Sequence, residues 1–391
     1  MTQALQPVAK AGPEPIVEIR QGPALAIDEA AEATVASHAF LRRAWFAPRM
    51  GAGALTIVGR RGDGSILAAI PLAPMGPPML GLRMVPGSYW PFRSLPVAAD
   101  AAEDELRALL SDASAHAALG QAWRLGPVYD DDPAVGRLAA AASACGWTML
   151  RRSLGTTFLL DLPALRAAGD WPRSSVLRKV GSCERRLGAE GPLHIRFVRG
   201  GAWDAAALDA LAAIEASSWV GRRTDGSGAK FLRVEQRSYW ESVLADPQLA
   251  RMLSAAILFV GETPVAFSFD LNVGRLQYGI AGSYDERFAR WSVGKIVTWR
   301  HLEESMARGI ELVDWGCGDS GYKRDFGGLA GPEIVDLLFV RSRPLARVLR
   351  PRWERGSGGG AEEDSARLLG PRERLILAAL MTAAAAASLS E

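Results

Sequence analysis

One pattern of secondary-structure signals occurs twice in this chain, and the repetition limits the folds available to it. A β-hairpin is predicted over residues 54–72, where two apolar runs flank a Gly-Asp-Gly turn. A three-stranded meander is predicted over residues 254–281. Helical patterns precede and follow each of them, at residues 29–46, 103–119, 204–219 and 294–308. The sequence therefore predicts an α/β (α+β) protein of two tandem modules, each a mixed, mostly antiparallel sheet flanked by helices.

Length and charge agree with this organisation. The 391 residues suffice for two to three domains, and a hydrophobic content of 49% is typical of globular proteins. The 45 basic and 43 acidic residues leave a formal net charge of +2, so we expect no global attraction to nucleic acid or to an anionic membrane. Three dispersed cysteines and four dispersed histidines argue against a disulfide scaffold and a zinc finger, and we expect no metal site.

The two ends of the chain differ in composition from its body. We expect residues 1–15 to be a disordered leader and residues 353–391 to be a flexible linker followed by a C-terminal helix. The longest apolar run, 375–389, is shorter than the ~20 residues that a membrane-spanning helix needs. We therefore expect a cytoplasmic protein without a transmembrane segment, with a first module over residues 16–165 and a second over residues 166–352.

The stretch 276–326 carries the clearest chemical signal. A predicted strand and a polar loop lead to Ser292, which is a favourable N-cap for the helix that follows. A helix N-terminus presents unpaired amides and the positive end of the macrodipole. Gly294 would admit a ligand close to the backbone, and Arg290 and Lys295 add positive charge. This arrangement suits a pyrophosphate, although every capped helix has such an N-terminus and most bind only water.

Sharper motifs do not fit this stretch. A P-loop requires Ser or Thr after its Lys, but Ile296 follows Lys295. A Rossmann fingerprint is absent from this turn. Residues 318–321 spell Gly-Asp-Ser-Gly, the tetrad around the nucleophile of chymotrypsin-like proteases, but the chain lacks the secreted, disulfide-bearing β-barrel context of those enzymes.

A second signal lies between the two modules, where residues 174–187 show the spacing of an amphipathic helix. Its basic face is formed by four residues, Arg178, Lys179, Arg185 and Arg186. Two interpretations remain open, namely a solvated helix packed on a domain and a helix that contacts an anionic ligand or a partner.

Residues 282–327 resemble the C-terminal half of the GNAT-type acyltransferases called CelD/BcsL-like, a family associated with cellulose and other exopolysaccharide biosynthesis. The features that carry the resemblance are Ser283-Tyr284-Asp285, Ser292-Val293-Gly294, Gly309, Asp314, Gly318 or Gly321, Tyr322-Lys323 and Phe326. The likeness covers about residues 170–345 and extends loosely over the first module, as in the paired GNAT modules of FemAB-like proteins. The chain departs from the family at Val293, where Pro is usual, and in the longer spacing from Arg290 to Gly294.

The resemblance implies an enzyme that transfers an acetyl or longer acyl group from acyl-CoA to an amine or hydroxyl of a small-molecule or saccharide acceptor. The cofactor-binding residues it implies are Ala281, Arg290, Trp291, Ser292, Val293, Gly294 and Lys295. The catalytic residues it implies are Tyr322 as the acid for the leaving thiolate, Asp314 and Glu215 as bases or water-holders, and Lys323 as a stabiliser of charge.

Each catalytic candidate also has an ordinary structural interpretation. Tyr322 would then be a half-buried aromatic with its hydroxyl in water, and Asp314 would cap a turn. Lys323 and Glu215 would be solvated charges on the surface.

The first module departs further from the family pattern. Glu103, Asp104 and Glu105 open its helix and would repel a phosphate there, so we expect this module to bind no cofactor and to shape the acceptor cleft. Two other functions stay open. One is a FemAB-like aminoacyl-tRNA-dependent transferase, whose basic helix would track RNA phosphates. The other is a non-catalytic GNAT-like subunit that docks polysaccharide-biosynthesis proteins through the C-terminal helix.

Overall fold

A computed structural model describes residues 14–354 apart from residues 77–79, 88–92, 170, 227 and 319–320. The predicted leader lies outside the described residues up to position 13. The predicted linker and C-terminal helix lie outside them from position 355 onward.

The first half of the described chain forms six strands and six helices. The strands are β1 (Ile16–Gln21), β2 (Leu55–Arg60), β3 (Ile66–Pro74), β4 (Leu82–Met84), β5 (Ala122–Tyr129) and β6 (Thr148–Asp161). The helices are α1 (Ala26–Ala33), α2 (Arg43–Phe46), α3 (Glu103–Ser111), α4 (Ala113–Leu119), α5 (Pro133–Ala144) and α6 (Leu162–Ala167).

The second half of the described chain forms six further strands and eight helices. The strands are β7 (Leu193–Arg199), β8 (Leu253–Val260), β9 (Thr263–Val273), β10 (Leu276–Tyr284), β11 (Leu312–Cys317) and β12 (Leu329–Val340). The helices are α7 (Ser174–Leu187), α8 (Ala205–Ser217), α9 (Trp219–Arg223), α10 (Val234–Leu244), α11 (Pro247–Met252), α12 (Val293–Ala307), α13 (Tyr322–Asp325) and α14 (Arg343–Glu354).

The two halves repeat one sheet topology. Strands β1 to β4 are antiparallel neighbours, and β5 then pairs parallel to β4 through three residue pairs that end at Met84 and Arg124. Strands β7 to β10 are likewise antiparallel, and β11 pairs parallel to β10 through three pairs that end at Tyr278 and Asp314. The predicted fold class is confirmed, because each module is a mixed, mostly antiparallel sheet flanked by helices.

The modules exchange their last strands at the centre of the molecule. Strand β12, from the end of the second half, pairs with β5 and β6, and β6 in turn pairs with β11. All twelve described strands therefore form one sheet in the order β1-β2-β3-β4-β5-β12-β6-β11-β10-β9-β8-β7. One apolar core also includes side chains from both halves, as in the edge-to-face contact of Trp45 with Trp240 at 6.0 Å between ring centroids.

Helix α12 matters most for the site, and both apolar and polar contacts fix it on the sheet. Its buried side chains Ile296, Val297 and Leu302 pack in a cluster with residues of β8, β9 and α7. His301 Nδ1 lies 2.8 Å from a carboxylate oxygen of buried Asp270, which anchors the helix to β9. The helix ends before Gly309, whose φ of +89° supplies the left-handed residue that the sequence predicts.

Three of the predicted helices are interrupted. The helix predicted over residues 29–46 divides because α1 ends at Ala33 and Thr34 is extended. The helix predicted over 103–119 divides at Asp112, whose carboxylate accepts the amides of Ser114 and Ala115 at 2.9 and 3.0 Å and so starts a new helix. The helix predicted over 204–219 divides at Ser218, which has an extended backbone.

None of the helices in the described part of the chain combines the length and the apolar character needed to cross a membrane.

Candidate active site

The parallel pairing of β10 with β11 is short, and the two strands separate beyond it. Their last pair is Tyr278 with Asp314. Strand β10 continues for six more residues, to Tyr284, and pairs over that length with β9 on its other side. A shift in the β10–β9 register between Gly279 and Ala281 marks the point of separation. Within the described residues, the edge 279–284 therefore has backbone groups available to an extended ligand.

The start of α12 lies just after this edge in the chain. Ser292 occupies the N-cap position as predicted, but its side chain makes no capping hydrogen bond. The physical reason is its left-handed backbone, with φ of +53°, whereas a capping Ser usually has an extended backbone. Among the described residues, the amides of Val293 and Gly294 donate to no protein acceptor. The N-terminus of α12 is therefore open to an anion.

These elements enclose a cleft of about 440 Å³. The lining residues come from β9, β10, α12, α13 and the segments beside them, and they are Phe267, Gly282, Ser283, Tyr284, Ala289, Ser292, Val293, Gly294, Lys295, Thr298, Gly321, Tyr322 and Asp325. A Cβ at position 294 would lie 3.1 Å from the Tyr284 ring, so any larger residue there would require this exposed ring to shift slightly.

The structure separates the seven predicted cofactor-binding residues into two groups. Four of them line the cleft, namely Ser292, Val293, Gly294 and Lys295. The other three, Ala281, Arg290 and Trp291, lie outside its lining. Ala281 is on the open edge of β10, and the Arg290 guanidinium stacks 3.7 Å from the centroid of the Trp291 ring.

Charge at the mouth of the cleft is partly compensated. The Lys295 Nζ lies 2.6 Å from a carboxylate oxygen of Asp325, so this cation already has an anionic partner. Arg290 is exposed and lies 3.4 Å from a carboxylate oxygen of Glu190. An anion at the start of α12 would therefore be held chiefly by the backbone amides of Val293 and Gly294.

Tyr322 lies in the lining of the same cleft, at the first position of α13. Its ring is half-buried and its centroid is 5.6 Å from that of Trp315. Of the four predicted catalytic residues, Tyr322 is the one that the structure brings together with the helix start.

Asp314 is fully buried at the point where β10 and β11 separate. Its carboxylate accepts hydrogen bonds from the hydroxyls of Tyr129 and Thr157 and from the Gly316 amide, the last at 2.7 Å. Burial raises the pKa of Asp314 to about 7, although the Gly316 amide and the Lys323 charge act to lower it. A carboxyl group with such a pKa is suited to exchanging protons near neutral pH.

Lys323 is buried, so its interpretation as a surface charge is wrong. Its Nζ donates to the carbonyl oxygens of Gly316 and Cys317 at 3.0 and 2.9 Å and so holds the end of β11. Burial raises the pKa of the neighbouring Cys317 to about 11, which leaves the group a neutral thiol near pH 7.

Glu215 is also buried rather than solvated, and it lies outside the cleft lining. Its two carboxylate oxygens accept the amides of Lys230 and Phe231 at 2.8 and 2.7 Å, which ties that segment to α8. Burial raises the pKa of Glu215, and the two amides oppose the shift.

Sequence reasoning missed several residues of the site. Tyr284 and Asp325 line the cleft, and Tyr284 stands in a motif that carries the family resemblance. Tyr129 and Thr157 have no such signal, because they reach Asp314 from strands far away in the sequence. Within the described residues, no group of His, Cys, Asp and Glu side chains is arranged to hold a metal ion.

Comparisons with known proteins agree with this geometry. Residues 174–324 match the family model of an acetyltransferase (GNAT) domain. No curated protein matches the chain. The fold is similar to that of L-PGS from Bacillus licheniformis, with 14% identity, a TM-score of 0.52, and coverage of 86% of this chain and 98% of that one. It is also similar to that of FemX, with 14% identity, a TM-score of 0.51, and coverage of 76% of this chain and 90% of that one. At this identity the two structures support the fold alone, whereas the family model supports acyl transfer by the segment that holds the cleft.

Proposed function

We propose that the second module transfers an acyl group from acyl-CoA to an amine or hydroxyl acceptor. The observation that carries this proposal is the open N-terminus of α12 at the end of a separated strand pair. The family match over residues 174–324 supports the reaction class.

The donor fits the cleft in two parts. Its pyrophosphate would lie on the amides of Val293 and Gly294, where the helix macrodipole favours negative charge. Its pantetheine arm would pair with the open edge of β10 over residues 279–284. The thioester would then lie where β10 and β11 separate, the point at which Asp314 is buried, and Tyr322 would reach it from the cleft lining.

The proposed chemistry uses one acid and one proton acceptor. The acceptor nucleophile attacks the thioester carbonyl carbon, a new C–N or C–O bond forms, and the C–S bond breaks. Tyr322 gives its proton to the departing thiolate. The proton lost by the nucleophile passes to Tyr129 while the Tyr129 hydroxyl passes its own proton to Asp314, with which it is hydrogen-bonded. Lys323 acts as a positioning residue, because its Nζ donates to the backbone carbonyls of Gly316 and Cys317 at the end of β11.

A second candidate donor is aminoacyl-tRNA. The observation that favours it is the basic face of α7, whose Arg178, Lys179, Arg185 and Arg186 are all exposed while Val180, Cys183 and Leu187 are buried. Such a face is suited to RNA phosphates, and binding through it would weaken steeply with salt. A role in exopolysaccharide biosynthesis, with a saccharide acceptor and partner proteins of that pathway, rests on the sequence resemblance alone.

Ligand-dependent thermal stability tests the donor assignment. A donor present at 100 times its dissociation constant stabilises the folded chain by about 2.7 kcal/mol. We expect acetyl-CoA or a longer acyl-CoA to raise the Tm of the wild type. Gly294→Asp should abolish the shift by repelling the pyrophosphate, whereas Gly294→Asn, which has the same shape without the charge, should retain part of it.

Gly136→Asp is the matched control, because Gly136 is exposed on α5 and a Cβ there would meet nothing within 4 Å. Its acyl-CoA response should equal that of the wild type. A wild type that responds to no acyl-CoA, but binds aminoacyl-tRNA in a salt-dependent manner, would transfer the assignment to the second candidate.

A further inference from the structure

The first module has an arginine where the second has its buried aspartate. The parallel pairs of β4 with β5 end at Arg124, and those of β10 with β11 end at Asp314. Arg124 therefore occupies the equivalent register position, at the point where the first module's own strand pair ends. Its side chain is 1% exposed, so a full charge is buried there.

Two arginines share one carboxylate at this point. Arg124 donates from Nε and Nη2 to the two oxygens of Asp336, both at 2.7 Å. Arg152 donates from Nη2 to one of the same oxygens, also at 2.7 Å. Asp336 itself is fully buried on β12, the strand that the second half contributes to the centre of the sheet.

A third arginine is close to this pair and lacks a carboxylate of its own. The backbone amide of Arg93 donates to the carbonyl of Pro127, which lies three residues after Arg124 on β5. Burial lowers the pKa of Arg93 to about 10, and the nearby positive charge of Arg124 adds to the effect. Arg49 is also close, but it is exposed and stacks over the Tyr239 ring at 5.0 Å, so water solvates its charge.

Several buried guanidinium nitrogens of this cluster have no hydrogen-bond partner among the described residues. They are Nε and Nη1 of Arg93, Nη1 of Arg124 and Nε of Arg152. Leaving charged donors buried and unpaired is costly, and proteins usually pair such groups or use them to hold a ligand. Arg124 and Arg152 pair with the single carboxylate of Asp336, and Arg93 interacts electrostatically with the same carboxylate, which leaves an excess of two positive charges.

We propose that Arg93, Arg124 and Arg152 form a binding site for a phosphate group that carries two negative charges. A phosphate monoester has a charge of about −1.5 to −2 near pH 7, which would neutralise the excess, whereas a carboxylate or a phosphodiester would leave one positive charge over. The forked guanidinium geometry also matches phosphate oxygens. The site lies in the first module and does not depend on the acyl transfer proposed for the second.

Thermal melting of the full chain with inorganic phosphate tests this site, with sodium chloride at matched ionic strength as the salt control. We expect phosphate, but not chloride, to raise the Tm of the wild type. Arg93→Met should raise the Tm without phosphate, because it removes a buried unpaired charge, and it should abolish the response to phosphate. Arg343→Met, at an exposed position on α14, is the matched control and should respond like the wild type.

Two further variants make the test independent of folding and of the cleft in the second module. Arg152→Gln leaves the bidentate pair of Arg124 with Asp336 in place and should weaken the phosphate response at least tenfold in apparent affinity. Gly294→Asp closes the start of α12 to anions, so the response that belongs to the arginine site should persist in this variant. If Gly294→Asp abolished it, the phosphate would be bound in the second module and the arginine site would be wrong.

The source of the phosphate is distinguished by comparing inorganic phosphate with phenyl phosphate and dimethyl phosphate. A response to inorganic phosphate alone identifies a site for the free ion, and an equal or larger response to phenyl phosphate identifies a phosphomonoester. Dimethyl phosphate, with a single charge, should bind at least tenfold more weakly than either. Equal responses to phosphate and chloride, or a full response in Arg93→Met, would overturn the proposal.

Discussion

The two modules share a topology and differ at the helix that follows their fourth strand. In the second module, α12 begins with Val293 and Gly294, whose amides donate to no acceptor among the described residues. In the first, the Glu105 carboxylate accepts the Ala102 amide at 2.9 Å and pairs with Arg61 at 2.7 Å. The first turn of α3 therefore carries its own carboxylates, which repel an anion at this helix start. The same backbone can thus offer an anion site or close it, depending on the residues of one helical turn.

The modules also differ in charge at the end of their parallel strand pairs. The second has Asp314, which burial favours in its neutral form. The first has Arg124, which donates two hydrogen bonds of 2.7 Å to Asp336. The two equivalent positions therefore carry side chains of opposite charge type, so we expect the two modules to respond differently to mutation and to pH.

The largest expected effect comes from removing the proposed acid of the second module. Tyr322→Phe should lower kcat by about 10²–10⁴-fold because the leaving thiolate loses its proton donor. KM and Tm should change little, since the ring stays in place beside Trp315. Steady-state kinetics with the acyl-CoA that gives the largest Tm shift would measure this. Tyr284→Phe, in the same cleft, is the control, and an equal loss in both variants would contradict a specific role for Tyr322.

The second-largest expected effect is a pH dependence that has opposite directions for stability and for activity. The pKa of Asp314 is raised from 3.8 to about 7, so the folded chain binds a proton more tightly than the unfolded chain does. Its contribution to stability is present below about pH 4 and is lost as pH rises through 7, a change of a few kcal/mol. Asp314→Asn should remove this loss of stability. By contrast, kcat/KM of the wild type should rise as pH rises through 7, and the variant should not show that rise.

Denaturant melts and rate measurements from pH 4 to pH 9 would check both parts. Asp209→Asn, at an exposed position on α8, serves as the control and should change neither curve. A wild type whose stability rises between pH 5 and pH 7 by the amount that Asp314→Asn removes would contradict the assignment.

How far the sequence determines this site can be judged from single residues. Gly309 and the residues of α7 were predictable because helix caps and amphipathic spacing are local signals. The exchange of β6 and β12 was not, because it joins segments about 180 residues apart and has no local pattern. For the same reason Asp314 was predicted as a candidate without its partners Tyr129 and Thr157. The boundary between residues 165 and 166, and the roles of the site residues, stay predictions.

A smaller effect is expected at the helix start of the first module. Glu105→Ala removes the carboxylate that caps α3 and should cost about 1 kcal/mol of stability. It should not create acyl-CoA binding, because Glu103 and Asp104 still repel an anion there. Chemical denaturation measures the loss of stability, and titration calorimetry measures whether the variant binds acyl-CoA at this helix. A second acyl-CoA site in this variant would show that the capping carboxylate alone distinguishes the modules.

The smallest expected effect concerns Lys295. Asp325→Asn removes its partner, which lies 2.6 Å away on α13, and leaves its charge free to face the donor. Exposed ion pairs are worth at most about 1 kcal/mol, so acyl-CoA should bind no more than several-fold more tightly. Calorimetric titration at low and high salt would measure the gain, which should shrink with salt. Weaker binding in Asp325→Asn would mean that Asp325 supports the donor site rather than competing with it.

The central claim is that the second module, and not the first, binds the donor at a helix start. A crystal structure of the chain with CoA tests this most directly. We expect one CoA per chain, with its pyrophosphate on the amides of Val293 and Gly294 and its arm beside residues 279–284 of β10. CoA bound at the start of α3 or at the arginine site, or a chain that binds no CoA at saturating concentration, would contradict it.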